Sequence, residues 1–286
     1  MRGPRPTQRL TRRLIAAGAA LFACAWAAQA EAQVGADLNI SPKRVVFGDG
    51  ERSATVYVFN QGDQPATYSV ELVDRVMLAD GQIVPASEHP DAAVASAAAL
   101  IQYTPRRVVL QPRESQAIRV RARPIPEGQG LERRTHLTVT AIPPEDSGLT
   151  AEAAARGEDG SLSFQVTALF SVSIPVIVRS GDADARAGIE AVRVTPADVA
   201  GGPTALLTLD LVRVGANSVY GDVEVRSGGQ TVGLLRGVAV YPETERRTVT
   251  LPLSGAMAPG MRLEIVYRDD DANKGEVLAS ASLVIP

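Results

Sequence analysis

The chain has 286 residues, of which 45% are hydrophobic and 21% charged, so it is long enough for one large or two ordinary globular domains. This composition excludes a mini-protein and a disordered tail. The 29 basic and 32 acidic residues nearly balance, which argues against a basic nucleic-acid-binding surface.

The first thirty residues have the pattern of a secretory signal peptide. A basic stretch that ends at Arg13 precedes an apolar run rich in alanine and leucine, and Ala28-Gln29-Ala30 has the small-x-small form of a cleavage site. Cleavage after Ala32 is the alternative. The apolar run is shorter than the roughly 20 residues that a membrane-spanning helix needs, so a permanent anchor is disfavoured. The patterns Thr11-Arg12-Arg13 and Leu21–Cys24 leave a twin-arginine signal and a lipoprotein signal open as variants.

Cleavage after Ala30 would change the charge and the thiol content of the chain. It removes five arginines and no acidic residue, which leaves 24 basic against 32 acidic residues and a net charge of −8. It also removes Cys24 and Trp26, so the exported chain cannot form disulfides although its compartment would permit them. We therefore expect its stability to come from hydrophobic cores.

Beyond about residue 37 the sequence is typical of an all-β protein, because short β-branched or apolar runs alternate with turn residues. The first group of predicted strands is 37–47, 53–60, 66–74, 98–110, 115–123, 135–142 and 163–178. A second group follows the polar segment 180–186 and comprises 188–195, 204–213, 219–226, 231–241, 246–252, 261–268 and 276–285. Two groups of seven short strands predict two immunoglobulin-like β-sandwich domains in tandem, residues 31–180 and 181–286.

Two connections in the first group are unusual. The alanine-rich segment 92–100 predicts a loop with a helical turn. Segment 144–160 is long for a connection within a sandwich, and loops of that length are usually mobile or functional. This segment leads into the strand predicted at 163–178.

The strand predicted at 163–178 has the most regular alternation in the chain. Its even positions are all apolar: Phe164, Val166, Ala168, Phe170, Val172, Ile174, Val176 and Val178. A period of two places that set on one face, and at about 3.3 Å per residue the strand would extend about 50 Å. One interpretation is that the strand packs its own core and continues into the linker between the domains. The other is that so long and apolar a strand pairs with another chain.

Four stretches of the first domain resemble, in order and spacing, the PapD-like periplasmic pilus chaperones. They are Leu38–Phe47, Tyr103–Pro112, Glu132–Pro144 and Ser173–Arg179. The resemblance covers residues 36–180 and extends to the second domain only through strand count, strand position and the segment Tyr267–Asp271. The pattern Glu-x-Arg-x-His-Leu, together with Ser-Ile-Pro-Val, is closer to the archaic branch of that family than to its other branches.

The resemblance implies a boomerang of two immunoglobulin-like domains that captures pilus subunits in the periplasm. Such subunits lack their last strand, and a strand donated by the chaperone fills the gap until an outer-membrane usher takes the subunit over. Backbone hydrogen bonds would hold the subunit while alternate side chains fill its exposed core. The donor positions of the family fall on Val166, Ala168 and Phe170, with Val172 and Ile174 on the same face.

The family also binds the subunit's C-terminal carboxylate through a basic pair in the cleft between the domains. Arg44 falls at the first position, and its guanidinium suits bidentate carboxylate binding. The second position falls on Pro175, which cannot bind a carboxylate, so Arg134 is the predicted replacement. An interdomain ion pair is expected between Arg179 and Asp270. Without the resemblance, Arg44 would be interpreted as an exposed charge on an edge strand, and Arg179 and Asp270 as solvated surface charges.

The sequence has no pattern for catalysis or metal binding. His89 and His136 have no partners at metal-ligand spacing, and motifs for a nucleophilic serine, a phosphate-binding loop or a dinucleotide are missing. Asp269–Asp271 with Asn273 lacks the glycine and the terminal glutamate of a calcium loop, so we interpret it as a hairpin turn. We predict no enzymatic activity, no cofactor and no metal.

The leading hypothesis is an exported, periplasmic, non-enzymatic chaperone whose partners are pilus subunits and an outer-membrane usher. Self-association of the free chaperone stays open. The alternative is a secreted structural or adhesive two-domain protein, whose long strand pairs within its own fold or with its copies. A carbohydrate-binding module is disfavoured, because the mature chain has no tryptophan for an aromatic platform.

Overall fold

The computed structural model describes residues 37–48, 50–143, 169–199, 202–255 and 257–286, and these residues fold mainly as β-strands. The strands up to Arg179 are β1 (Leu38–Ser41), β2 (Val45–Phe47), β3 (Ser53–Asn60), β4 (Ala66–Val73), β5 (Arg75–Met77), β6 (Ile83–Pro85), β7 (Ile101–Thr104), β8 (Arg107–Leu110), β9 (Ser115–Ala122), β10 (Glu132–Ile142) and β11 (Ser171–Arg179). The later strands are β12 (Ala187–Val199), β13 (Gly202–Arg213), β14 (Val219–Ser227), β15 (Gln230–Val240), β16 (Arg246–Leu253), β17 (Arg262–Asp269) and β18 (Val277–Val284). Within the described ranges, no helix is long and apolar enough to span a bilayer.

The first sandwich packs a four-stranded sheet, in the order β1-β3-β9-β7, against a five-stranded sheet, in the order β2-β11-β10-β4-β8. Neighbouring strands are antiparallel except for β2, which runs parallel to β11 over Val176–Val178. Period-two alternation turns one face of each sheet inward. The buried core includes Ile40, Val56, Val58, Ile118 and Val120 from the first sheet and Leu110, Leu137, Val139 and Val176 from the second.

The second sandwich packs the sheet β12-β13-β16 against the sheet β15-β14-β17-β18. Leu207, Leu209 and Leu211 of β13 are all buried, as the alternation of this strand requires. Both sandwiches belong to one compact unit, Val34–Pro286. The prediction of an all-β chain with two immunoglobulin-like sandwich domains is confirmed. The domain boundaries placed at residues 30 and 180 stay predictions.

Prolines divide two of the predicted strands. The segment predicted as one strand at 37–47 forms β1 and β2, separated at Pro42, and these strands belong to opposite sheets. The segment predicted at 98–110 forms a single 3₁₀ turn at Ala98–Leu100, then β7 and β8, separated at Pro105. Proline has no backbone N–H, so it cannot continue a ladder of hydrogen bonds.

The strand predicted at 163–178 is described from Ser171 onward, as β11. Val166 and Ala168 lie outside the described residues. The carbonyl of Phe170 accepts a hydrogen bond from the N–H of Ala141 at 3.0 Å, so pairing with β10 continues one residue before β11.

A short hairpin that the sequence analysis missed joins the two sandwiches. Its strands β5 and β6 have only three residues each, which is too short for a recognisable alternation. Met77 of β5 packs with Ile177, Ala239 and Tyr241 in an apolar cluster between the sandwiches. At the hairpin tip, Gly81 has a positive φ of +88°, and a Cβ there would overlap the guanidinium of Arg247.

Removing the side-chain amide of Asn60 should destabilise the first sandwich. Asn60 is 3% exposed, and its Nδ2 donates to the carbonyls of Gln64 at 2.7 Å and Leu110 at 3.3 Å. Asn60→Ala leaves both carbonyls without this donor, and we expect a loss of about 2–4 kcal/mol in the free energy of unfolding, measured by urea denaturation. The exposed neighbour supplies the control: Gln61→Ala should change little. An equal loss of unfolding free energy in Asn60→Ala and Gln61→Ala would contradict a stabilising role of the Asn60 amide.

Candidate functional site

The start of β10 places polar side chains between the two sandwiches. Leu137 and Val139 face the core of the first sandwich. Glu132, Arg134 and His136 therefore lie on the opposite face of the sheet, yet all three are buried, at 7%, 3% and 3% exposure. Buried charged groups need partners, and much of what they contact comes from the second sandwich.

Arg44, just before β2, is a second charged group in this cleft, with its side chain 10% exposed. Its Nη2 lies 2.9 Å from Oδ2 of Asp271, and its Nη1 donates to the hydroxyl of Tyr241 at 3.3 Å. The guanidinium also lies 4.6 Å from the ring centroid of Tyr220. The interpretation of Arg44 as an exposed charge is therefore wrong, because Asp271 and both tyrosines belong to the second sandwich.

Arg134 lies in the same cleft. Its Nη2 forms an ion pair with Oε1 of Glu243 and donates to the carbonyl of Arg75 at 2.9 Å. Its guanidinium carbon lies 3.6 Å from the centre of the Tyr241 ring, and that of Arg44 lies 5.9 Å from the same centre. The structure thus brings the two predicted anchor arginines together around one tyrosine. Their role in carboxylate binding stays a prediction.

Arg179, at the end of β11, binds one carboxylate from each sandwich. Its Nε donates to Glu132 at 2.8 Å and its Nη2 to Asp271 at 2.9 Å, with the side chain 5% exposed. Burial acts to lower the pKa of Arg179, but the two carboxylates outweigh it and raise the pKa above its ordinary value. Glu132 also accepts a hydrogen bond from the backbone N–H of Ser218 at 3.1 Å, which ties the network to the second sandwich a second time.

The predicted interdomain partner Asp270 is corrected to Asp271. The carboxylate of Asp270 points outward to Lys274, at 2.8 Å, on an exposed part of the turn after β17. The reason is the fold of that turn: the carboxylate of Asp269 accepts the N–H groups of Asp271 at 2.9 Å and of Asn273 at 2.6 Å. This Asx-type turn directs Asp271 inward to the arginines.

His136 is a buried neutral group that the sequence analysis placed only at the start of a strand. Burial, followed by the charges of Arg134, Arg75 and Arg44, lowers the pKa of His136 to about 3. The three arginines lie close enough to oppose protonation of His136, although Arg44 and Arg134 are themselves paired with Asp271 and Glu243. Among the described residues, no group of three or more histidine, cysteine or acidic side chains could hold a metal ion.

Two guanidinium groups in the cleft keep buried N–H donors without a partner in the described part of the chain. These donors are Nε of Arg44 and Nη1 of Arg134. A buried N–H without an acceptor costs free energy, and an arginine prefers a planar anion that accepts two parallel hydrogen bonds. The cleft is therefore suited to a carboxylate.

One edge of β11 leads to this cleft. On one side β11 pairs with β10 over Ser171–Arg179, and on the other β2 covers only Val176–Val178. Residues 171–175 thus have no strand partner on the second side among the described residues. The N–H of Ala141 donates to the carbonyl of Phe170, so the backbone of Phe170 faces β10. By the alternation of an antiparallel ladder, the backbone groups of Ser171, Ser173 and Pro175 therefore face the free edge.

The predicted donor residues fall into three groups. Val166 and Ala168 lie outside the described residues. Phe170 and Val172 are half-buried, and Val172 packs against the core of the first sandwich. Ile174 is 2% exposed and belongs to that core, so its assignment to the donor face is corrected. The reason is that the first sandwich covers this face of β11 progressively, from half-buried Phe170 and Val172 to fully buried Ile174.

Comparison with known proteins finds similar solved structures but no matching family model and no matching curated protein. A CupB2 chaperone from Pseudomonas aeruginosa is 14% identical, with a TM-score of 0.43 over 87% of this chain and 100% of that one. The Escherichia coli chaperone DraB is 15% identical, with a TM-score of 0.42 over 87% and 96%. A complex of the chaperone CsuC with the tip adhesion subunit CsuE, from archaic Csu pili of Acinetobacter baumannii, is also similar. The matched chain is 15% identical, with a TM-score of 0.42 over 84% of this chain and 96% of that one. With TM-scores below 0.5, the function of this chain must be inferred from its own residues.

Neutralising Asp271 should cost far more stability than neutralising Asp270. Asp271 compensates buried Arg179 and largely buried Arg44. Asp271→Asn removes the negative charge that both need and should lower the free energy of unfolding by about 3 kcal/mol. Asp270→Asn removes the same charge from an exposed pair and should have little effect. Urea denaturation of both variants compares them. If Asp270→Asn were the more damaging change, the corrected ion pair would be wrong.

The neutral state of His136 predicts a pH dependence of stability. The unfolded chain binds a proton near pH 6.5, whereas folded His136 stays neutral down to about 3, so stability falls as the pH decreases from 6.5 toward 3. Between pH 7.5 and 5.5 this residue should account for about 1.4 kcal/mol of lost stability. His136→Gln should lack that part in urea denaturation at the two pH values, and His89→Gln should retain it. An unchanged pH dependence in His136→Gln would refute a neutral His136.

Proposed function

We propose that this chain is an exported periplasmic chaperone that binds pilus subunits by donating a strand to them and delivers them to an outer-membrane usher. The observation that carries this proposal is the free edge of β11 at residues 171–175, which leads to a buried arginine pair. The signal-peptide pattern of residues 1–30 supports export. Delivery to an usher follows from the resemblance of the four stretches in the first domain to pilus chaperones.

The free edge supplies the backbone part of binding. An extended segment of a subunit can add to a sheet edge that presents unpaired N–H and C=O groups, and these hydrogen bonds do not depend on the sequence of the added strand. Ser171 and Ser173 each offer a donor and an acceptor on this edge. A chaperone that serves several subunits needs such sequence-tolerant affinity.

Apolar side chains before and in β11 supply the second contribution to subunit binding. Phe170 is half-buried just before β11, and the alternation of the sequence predicts the same face for Ala168 and Val166, which lie outside the described residues. A subunit that lacks a strand exposes a hydrophobic groove, and burying one large side chain there contributes about 1.5–3 kcal/mol. Ile174 takes no part, because its own sandwich already buries it.

The arginine pair supplies a fixed end point. In the parallel ladder Val45 pairs with Val176, so Arg44 lies beside Pro175, where the free edge ends. A strand added along this edge would bring its terminal carboxylate to Arg44 and Arg134. A guanidinium holds a carboxylate through two parallel hydrogen bonds, which fixes the position as well as the affinity.

The alternative, a structural or adhesive protein that pairs through β11 with its own copies, uses the same edge. It accounts for the ion pairs of Arg44 and Arg134 across the sandwiches but not for the donors that both guanidinium groups keep unpaired at the end of that edge. The chaperone proposal explains both features with one ligand. Self-association of the free chain through β11 is compatible with it.

Co-expression with a pilus subunit encoded near this chain tests the proposal. Phe170→Asp places a charge on the donor face and should reduce the recovered soluble subunit at least about tenfold, because a carboxylate is costly to bury. Arg44→Ala should also reduce recovery, because the subunit's carboxylate loses its partner. Recovery is measured by affinity purification of the tagged chaperone and quantification of the bound subunit.

Leu169→Asp is the matched control for Phe170→Asp. Leu169 is 56% exposed and precedes Phe170 directly, so in an extended chain its side chain points to the other face. This variant should retain most of the subunit. The far-UV circular dichroism of all three variants shows whether they fold. Unchanged recovery with folded Phe170→Asp and Arg44→Ala would refute the mechanism.

A further inference from the structure

The two arginines proposed to bind a subunit's carboxylate already hold carboxylates of this chain. Asp271 pairs with Arg44, and Glu243 pairs with Arg134. Both acids come from turns of the second sandwich, one after β15 and one after β17. Their positions are those that an incoming carboxylate would have to share.

Asp271 has a second ion-pair partner. It also neutralises Arg179, so it is part of the network that joins the sandwiches. A ligand that displaced Asp271 would leave that buried arginine with Glu132 alone. Asp271 is therefore expected to stay in place when a ligand binds.

Glu243 differs from Asp271, because Arg134 is its one ion-pair partner among the described residues. Its side chain is 4% exposed, and Oε1 also accepts a hydrogen bond from the backbone N–H of Met77 at 2.9 Å. The hairpin β5–β6 thus holds Glu243 against Arg134 from the side of the first sandwich. No other charge described in the structure depends on it.

We infer that Glu243 is an internal competitor for the carboxylate of the subunit, an inference that rests on the proposed function. A carboxylate that approaches Arg134 either displaces Glu243, losing its hydrogen bond to Met77, or lies next to it and is repelled. Two carboxylates within about 4–6 Å of each other disfavour the charged state of both. Either way, Glu243 lowers the affinity of the cleft for a chain terminus.

Competition by Glu243 would help a chaperone to bind subunits selectively and to release them. With Glu243 in place, Arg134 in the free cleft stays paired and its charge is compensated, so unrelated anions bind there only weakly. A subunit whose strand is already added to β11 delivers its carboxylate at high local concentration and can compete with Glu243. When the subunit leaves, Glu243 returns to Arg134, and this exchange lowers the free-energy cost of release.

A peptide-binding experiment with the full mature chain tests the competitor. The probe is a fluorescent peptide of alternating valine and threonine, with two lysines at its N-terminus for solubility and a free C-terminal carboxylate. A second probe has the same sequence and an amidated C-terminus. Glu243→Gln should bind the carboxylate peptide at least about tenfold more tightly than the wild type, because the isosteric amide keeps its place without the charge. Its affinity for the amidated peptide should not change.

Glu245→Gln is the matched control, since Glu245 is exposed in the same turn and forms no ion pair among the described residues. It should bind both peptides as the wild type does, which separates a local effect from a change in net charge. If Glu243→Gln and the wild type prefer the carboxylate peptide equally, Glu243 is not a competitor and the proposed function stands. If neither protein distinguishes the two peptides, the carboxylate anchor itself is wrong and the inference falls with it.

Discussion

Arg179 carries a charge into the contact between the two sandwiches, where Glu132 of its own sheet and Asp271 of the other sandwich neutralise it. Because the guanidinium is 5% exposed, neither acid can be replaced by water without leaving a buried charge. The geometry of the cleft depends on this network. Asp271 is shared with Arg44, so the contact that joins the sandwiches also orients the first of the two proposed anchors.

Tyr241 plays the corresponding part for the second anchor. Its ring supports the guanidinium of Arg134, its hydroxyl accepts a hydrogen bond from Arg44, and its remaining surface packs with Met77. Such stacking on an aromatic face is worth more where water is excluded. The apolar cluster and the ion pairs therefore stabilise the same arrangement, and the hairpin that contributes Met77 connects both to the first sandwich.

Alternation was enough to predict most of the long strands, but not the breaks at Pro42 and Pro105, the short hairpin β5–β6 or the cleft. The fold class followed from period-two runs, which pack the same way wherever a sheet has one buried face. Arg44 and Arg134 were found through four short stretches that resemble a family. The acids that pair with them were not identified, because Asp271 and Glu243 lie 227 and 109 residues away in the chain, in turns without a periodic pattern. Tertiary contacts between turns leave no periodic signal, and the same limit explains the choice of Asp270 over its neighbour.

Pro175 occupies the last position of the free edge of β11, next to the first residue that β2 covers. Its backbone faces the open side with a carbonyl but no N–H, so a strand added there finds an acceptor and no donor. Ladder growth toward the cleft would therefore end at this residue, whatever the sequence of the added chain. Under the proposed function, Pro175 would set the distance between the last backbone hydrogen bond of an added strand and the arginines that would receive its terminal carboxylate.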